Sequence, residues 1–69
     1  MRVYKVTGMT GDERERRIAR AIMDQFGEDT VVRAASQMGE VRVDASVDPQ
    51  IVVFAIDSAG YSVEAVGED

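Results

Sequence analysis

The chain has 69 residues, a formal net charge of −5, and neither cysteine nor histidine. Disulfides, zinc sites of the usual type, thiol nucleophiles and histidine general bases are therefore excluded, and the acidic excess argues against nucleic acid as a partner. No apolar run approaches the ~18 residues of a membrane span, and a chain this short buries only about 60% of its unfolded surface, which leaves little room for a deep private active site.

Residues 2 to 7 alternate as a strand, with Tyr4 and Val6 toward the core. This start lacks the apolar centre of a signal peptide, so a cytoplasmic protein, or a fragment of a larger one, is expected. Gly8 turns the chain. Thr10 and Glu13 have the spacing of a capping box, and Asp12 and Glu13 place negative charge at the positive end of a helix. The spacing of Ile18, Ile22 and Phe26, flanked by Ala21 and Met23, predicts a helix over 11–26. Asp12–Arg16, Glu13–Arg17 and Arg20–Asp24 are i, i+4 pairs on its polar side, and Gly27 is its C-terminal stop.

Residues 30 to 35 read as a strand with Val32 and Ala34 inward. Ser36-Gln37-Met38-Gly39 is a turn. Residues 40 to 45 follow as a strand with Val41, Val43 and Ala45 inward, completing a hairpin. The run 51–56 suits a buried strand as well as a helix. Asp48 as N-cap, Pro49 at the first helical position and Gly60 as a stop favour a helix over 49–59. Tyr61, Val63 and Ala65 alternate inward in a last strand, and 67–69 is a frayed tail. The order β-α-β-β-α-β predicts an α+β, ferredoxin-like sandwich, with two helices on one face of a four-stranded antiparallel sheet in a single domain over 1–69. The other face would show Val3, Lys5, Thr7, Arg33, Arg42, Asp44, Ser62, Glu64 and Val66, a mixed polar surface for solvent or weak docking.

Gly8-Met9-Thr10 before the first helix, and Ala59-Gly60-Tyr61 after the second, resemble a heavy-metal-associated (HMA) domain. That family includes small copper chaperones, mercury-binding proteins and N-terminal domains of metal-pumping P-type ATPases. Its signature is Gly-Met-Thr-Cys-x-x-Cys. Here Gly11 and Arg14 stand at the two cysteine positions, so the likeness covers the layout and omits the ligands. The resemblance implies that Met9 packs inward beneath the loop and that Tyr61 sits beside it. Soft ions want thiolates. Gly11 offers no side chain, and Arg14 is a fixed cation that repels a metal ion. Arg14 is expected to pack on the Tyr61 ring, or to donate to its hydroxyl or a nearby carbonyl; the alternative is a solvated Arg14 paired with an acid or with nothing.

Asp12, Glu13 and Glu15 supply too few oxygens for a calcium site and read as the charged start of a helix. Gly8 and Gly11 form no phosphate loop. Ser36, Ser46, Ser58 and Ser62 lack a base to activate them. No enzyme, metal or cofactor is expected. The leading reading is an HMA-like domain that serves as an interaction or regulatory module, tied to a metal-transport ATPase or chaperone system. Its protein partner would dock on Met9, Thr10, Gly11, Asp12, Arg14 and Tyr61, with no nucleic acid, no membrane span and a monomeric state. The alternatives are an ACT-like small-molecule sensor, which would dimerise, an engineered scaffold, and a weak metal carrier using Met9 and carboxylates.

Overall fold

The computed structural model describes residues 1–27 and 29–68. Its elements are β1 (Arg2–Thr7), α1 (Asp12–Phe26), β2 (Val32–Ala35), β3 (Glu40–Val43), α2 (Pro49–Ser58) and β4 (Ser62–Glu68). The strands form one sheet in the order β2-β3-β1-β4, and every neighbouring pair is antiparallel. With α1 and α2 this is the ferredoxin-like sandwich.

The core lies between helices and sheet. Tyr4 and Val6 of β1, Val41 and Val43 of β3, Ile18 and Ile22 of α1, and Val52, Ala55 and Ile56 of α2 are buried there. Phe26, Val32, Ala34 and Val63 pack around them. The period-2 positions of the strands meet the i, i+4 positions of the helices, as the two geometries require. The ambiguous run 51–56 is helical because Asp48 caps it: the Asp48 carboxylate accepts from the Gln50 N–H at 2.9 Å, and Pro49 follows. Its outer side remains apolar, with Phe54 62% exposed.

Several expectations need correcting. β2 begins at Val32, not at residue 30, and β3 ends at Val43. Ala45 is exposed, in a turn where Asp44 accepts from the Ser46 N–H at 2.9 Å. That Asx-type bond diverts the backbone from the sheet, and Asp44 leaves the open sheet face with it. α2 stops one residue early, with Ala59 as its C-cap. Gly67 and Glu68 belong to β4 rather than to a frayed tail, and residue 69 lies outside the described residues.

The largest correction concerns facing. β1 and β4 pair Val6 with Val63 and then Lys5 with Ala65, so the register shifts at Glu64. An extra residue in one strand reverses the alternation beyond it. Ala65 therefore lies opposite Lys5 on the uncovered face, and Val66 lies opposite Tyr4 on the helix side. Of the helix ion pairs, Glu13–Arg17 closes to 3.4 Å and Arg20–Asp24 to 3.8 Å. Asp12 and Arg16 form none among the described residues.

Candidate functional site

β1 ends at Thr7 and α1 begins at Asp12, so residues 8–11 form the loop that the family resemblance singles out. Met9 is buried at 2% exposure within the core cluster. A thioether plugging the core is unavailable to an ion at the surface. Gly8 has φ +84°, and a Cβ there would lie 3.9 Å from the Tyr61 ring. Tyr61 thus packs beside the loop. Its backbone N–H donates to Ile56 at the end of α2, which couples the second helix to the site.

The capping box does not form. The N-cap is Gly11, one residue later than Thr10, and no side chain caps the helix. The first helical bond runs from the Glu15 N–H to the Gly11 carbonyl at 3.2 Å. This register puts Arg14, not Glu13, at the third helical position. Thr10 is engaged differently: Arg14 donates to its hydroxyl at 2.9 Å and to the Gly8 carbonyl at 3.3 Å. Glu13 faces Arg17 instead. The Arg14 guanidinium therefore bridges the loop from inside the first helical turn, taking the nearby-carbonyl option among its expected contacts. It lines one groove with Tyr61, Gly8, Arg17 and Gly60.

Gly11 adopts φ +84° and ψ 159°, a combination essentially restricted to glycine. The backbone at the first cysteine position of the family motif has thus settled where a side chain is strained. The second position carries a cation hydrogen-bonded to neutral oxygens. Among the described residues no three histidine, cysteine, aspartate or glutamate side chains gather as a cation site. The donor set does not fit a soft metal ion.

Two long-range contacts escaped the sequence reading. Glu15 accepts from the Ser36 backbone N–H, pinning the β2–β3 turn to α1. Hydrogen bonding from Ser36, side chain first and backbone second, holds the Glu15 carboxyl below the usual carboxylate range. The partners stand 21 positions apart, beyond any local pattern. On the uncovered sheet face Glu40 pairs with Lys5 at 2.6 Å and with Arg42 at 3.7 Å, and its side chain is only 10% exposed. The Lys5 hydrogen bond lowers its pKa, and burial works against that. The alternation of β3 put Glu40 on this face. The register Lys5↔Glu40 gives it the closer partner, across the strands.

This body, a four-stranded antiparallel sheet under two helices with a Gly-Met-Thr loop leading into α1, has the fold of heavy-metal-associated domains. Solved structures with the same fold include the copper chaperone Atx1 from Synechocystis PCC6803 in a trimeric form. It shares 19% identity over 90% of this chain and 97% of its own, with a TM-score of 0.82. A heavy metal binding protein from Thermotoga maritima shares 21% identity over 100% of both chains, TM-score 0.82. A gold binding protein shares 17% over 91% of this chain and 95% of its own, TM-score 0.80. No protein-family model matches the chain, and no curated protein sequence matches it.

Proposed function

We propose that this chain is one HMA-like domain that works without a metal cargo, as an interaction or regulatory module within a metal-transport ATPase or chaperone system. The observation that carries this reading is the pairing of Gly11 and Arg14 at the two thiolate positions. One is a backbone geometry hostile to a side chain, and the other is a cation fixed to Gly8 and Thr10. The metal-related names of its structural neighbours supply the association with metal handling.

The partner is a protein, and it meets Thr10, Gly11, Asp12, Arg14 and Tyr61, with Met9 supporting the loop from beneath. The module acts as a cytoplasmic monomer and catalyses no reaction. No helix among the described residues is long and apolar enough to cross a membrane. Native mass spectrometry with Cu(I), Zn²⁺ and Hg²⁺ tests the reading. Apo protein at micromolar ion is the expected result, and a sub-micromolar 1:1 complex with any of the three overturns it.

A further inference from the structure

We propose that β4 is a docking edge for an extended, basic segment of a partner protein, which adds a fifth strand and lays an aromatic side chain over Gly67. This surface is separate from the loop at residues 8–11. It lies at the other end of the sheet, where residues 2–5 of β1 face residues 65–68 of β4.

Gly67 carries the inference. The chain has six glycines. Gly8, Gly11, Gly27, Gly39 and Gly60 all have positive φ, so backbone conformation accounts for them. Gly67 lies within a strand and has no positive φ. A Cβ built there would meet no atom within 4 Å, so crowding inside the chain does not account for it either. The register shift of β4 falls at Glu64, away from Gly67. A glycine inside a strand weakens it, and its remaining use is the close approach of another backbone or a ligand.

The strand offers what such an approach needs. β4 is outermost in the sheet and pairs with β1 alone, so one row of its N–H and C=O groups stays open as a template for another strand. The opposite edge, β2, has four residues and carries Arg33, whereas β4 has seven with no lysine, arginine or proline to guard it. Beyond the bulge, Ala65, Val66, Gly67 and Glu68 are all exposed, a run of roughly 13 Å. A groove of about 360 Å³ lies beside it on the uncovered face, lined by Val3, Lys5, Glu40, Arg42, Ala65 and Gly67 among others. Its charges cancel, Lys5 and Arg42 against Glu40 and Glu68, and Lys5 already meets Glu40 at 2.6 Å. A neutral ring suits that groove, and aromatic side chains are the usual cover for an edge glycine.

The edge itself is acidic. After Val43 the chain has no lysine or arginine, and it has Asp44, Asp48, Asp57, Glu64, Glu68 and Asp69. Glu64 forms no ion pair among the described residues, and Glu68 meets only Arg2, at 3.3 Å with its own side chain 67% exposed. Basic side chains on the incoming strand complement these acids. A second copy of β4 would bring two more glutamates and no base to the same edge, so the occupant is a different chain.

The test titrates the ¹⁵N-labelled chain with the blocked peptide Lys-Val-Trp-Val-Lys. Three analogues accompany it, with proline for both valines, alanine for tryptophan, or glutamate for both lysines. The proposal expects shifts centred on residues 64–68 and 2–5, slower amide exchange within 65–68, and at least tenfold weaker binding of every analogue. Gly67→Val should keep or raise the Tm, since neither conformation nor space requires glycine there, and should weaken the parent peptide at least tenfold. Glu64→Gln should weaken it at least threefold. Silence, shifts centred on residues 8–11 or on α1, or equal binding of the proline analogue overturns the proposal. So does a lower Tm in Gly67→Val, which would assign the glycine to the fold, or sedimentation showing that the chain self-associates through β4.

Discussion

Arg14 reaches back four residues to Thr10, its Nη1 2.9 Å from the threonine hydroxyl, and donates to the Gly8 carbonyl with the same nitrogen. One side chain thus spans both ends of a loop that no helix cap secures. Arg14→Ala should loosen residues 8–11 and cost about 0.5–1.5 kcal/mol for the lost hydrogen bonds. Amide exchange should accelerate at Met9, Thr10 and Gly11 while the centre of α1 stays protected. Both bonds come from one nitrogen, so Arg14→Lys keeps the charge and a single multi-donor nitrogen on a shorter stem and should fall between the parent and alanine in exchange. Unchanged exchange in both variants would show that the clip carries no weight.

Restoring thiolates should expose the altered backbone. In Gly11→Cys/Arg14→Cys the new Cβ at position 11 enters a glycine-only region, at a cost of roughly 1–3 kcal/mol, and the Arg14 bonds vanish. We expect Cu(I) affinity to rise and the apo Tm to fall by several degrees. Thermal melts with and without Cu(I) check this. A Tm equal to the parent's would mean that the loop relaxes without strain.

Acid should act first on carboxylates with named partners. The Glu15, Glu40 and Asp44 pKa values all lie below their ordinary values, through hydrogen bonds from Ser36, Lys5 and Ser46 respectively. Each group binds protons more weakly folded than unfolded. Its contribution is therefore complete above the unfolded value near 4.5 for the glutamates and 3.8 for Asp44, and fades as pH falls through the lower folded value. Urea midpoints from pH 7 to 2 should decline most below pH 4.5. Glu40→Gln should flatten that decline, and an unaltered pH profile in this variant would count against the Lys5 pair.

Alkali should act through Tyr4. Its ring is wholly buried and its hydroxyl has no hydrogen-bond partner among the described residues. Burial raises its pKa above the ordinary 10.0, with the nearby Arg2 opposing. The folded state prefers the neutral phenol, so this stability is complete below pH 10 and is lost as pH rises through the folded value. Tyr4→Phe removes an unpaired buried hydroxyl. It should leave stability at pH 7 unchanged or raise it by up to about 1 kcal/mol, and it should abolish the high-pH limb. A loss above 1 kcal/mol would reveal a hydroxyl partner.

Binding loops and cores left different traces in this chain. Ile18 and Ile22, Tyr4 and Val6, and the Asp48-Pro49 start of α2 are signals within a few residues, and the fold follows from them. So does the absence of ligands at 11 and 14, which needs no coordinates. Thr10 and Glu13 carried a local signal that failed. The helix starts one residue later, and Arg14 offers Thr10 a stronger donor than a backbone amide.

The chain's own letters determined which faces are apolar and which chemistry is missing, because helical and extended periodicities project onto the sequence directly. Tertiary structure alone decided the bulge at Glu64 that sets Ala65 opposite Lys5 and Val66 opposite Tyr4, the tie from Glu15 to Ser36 and the shelter of Glu40 beside Lys5. Each depends on the register or approach of elements distant along the chain. That is settled by packing and hydrogen-bond pairing across the whole domain, which no short window of residues contains.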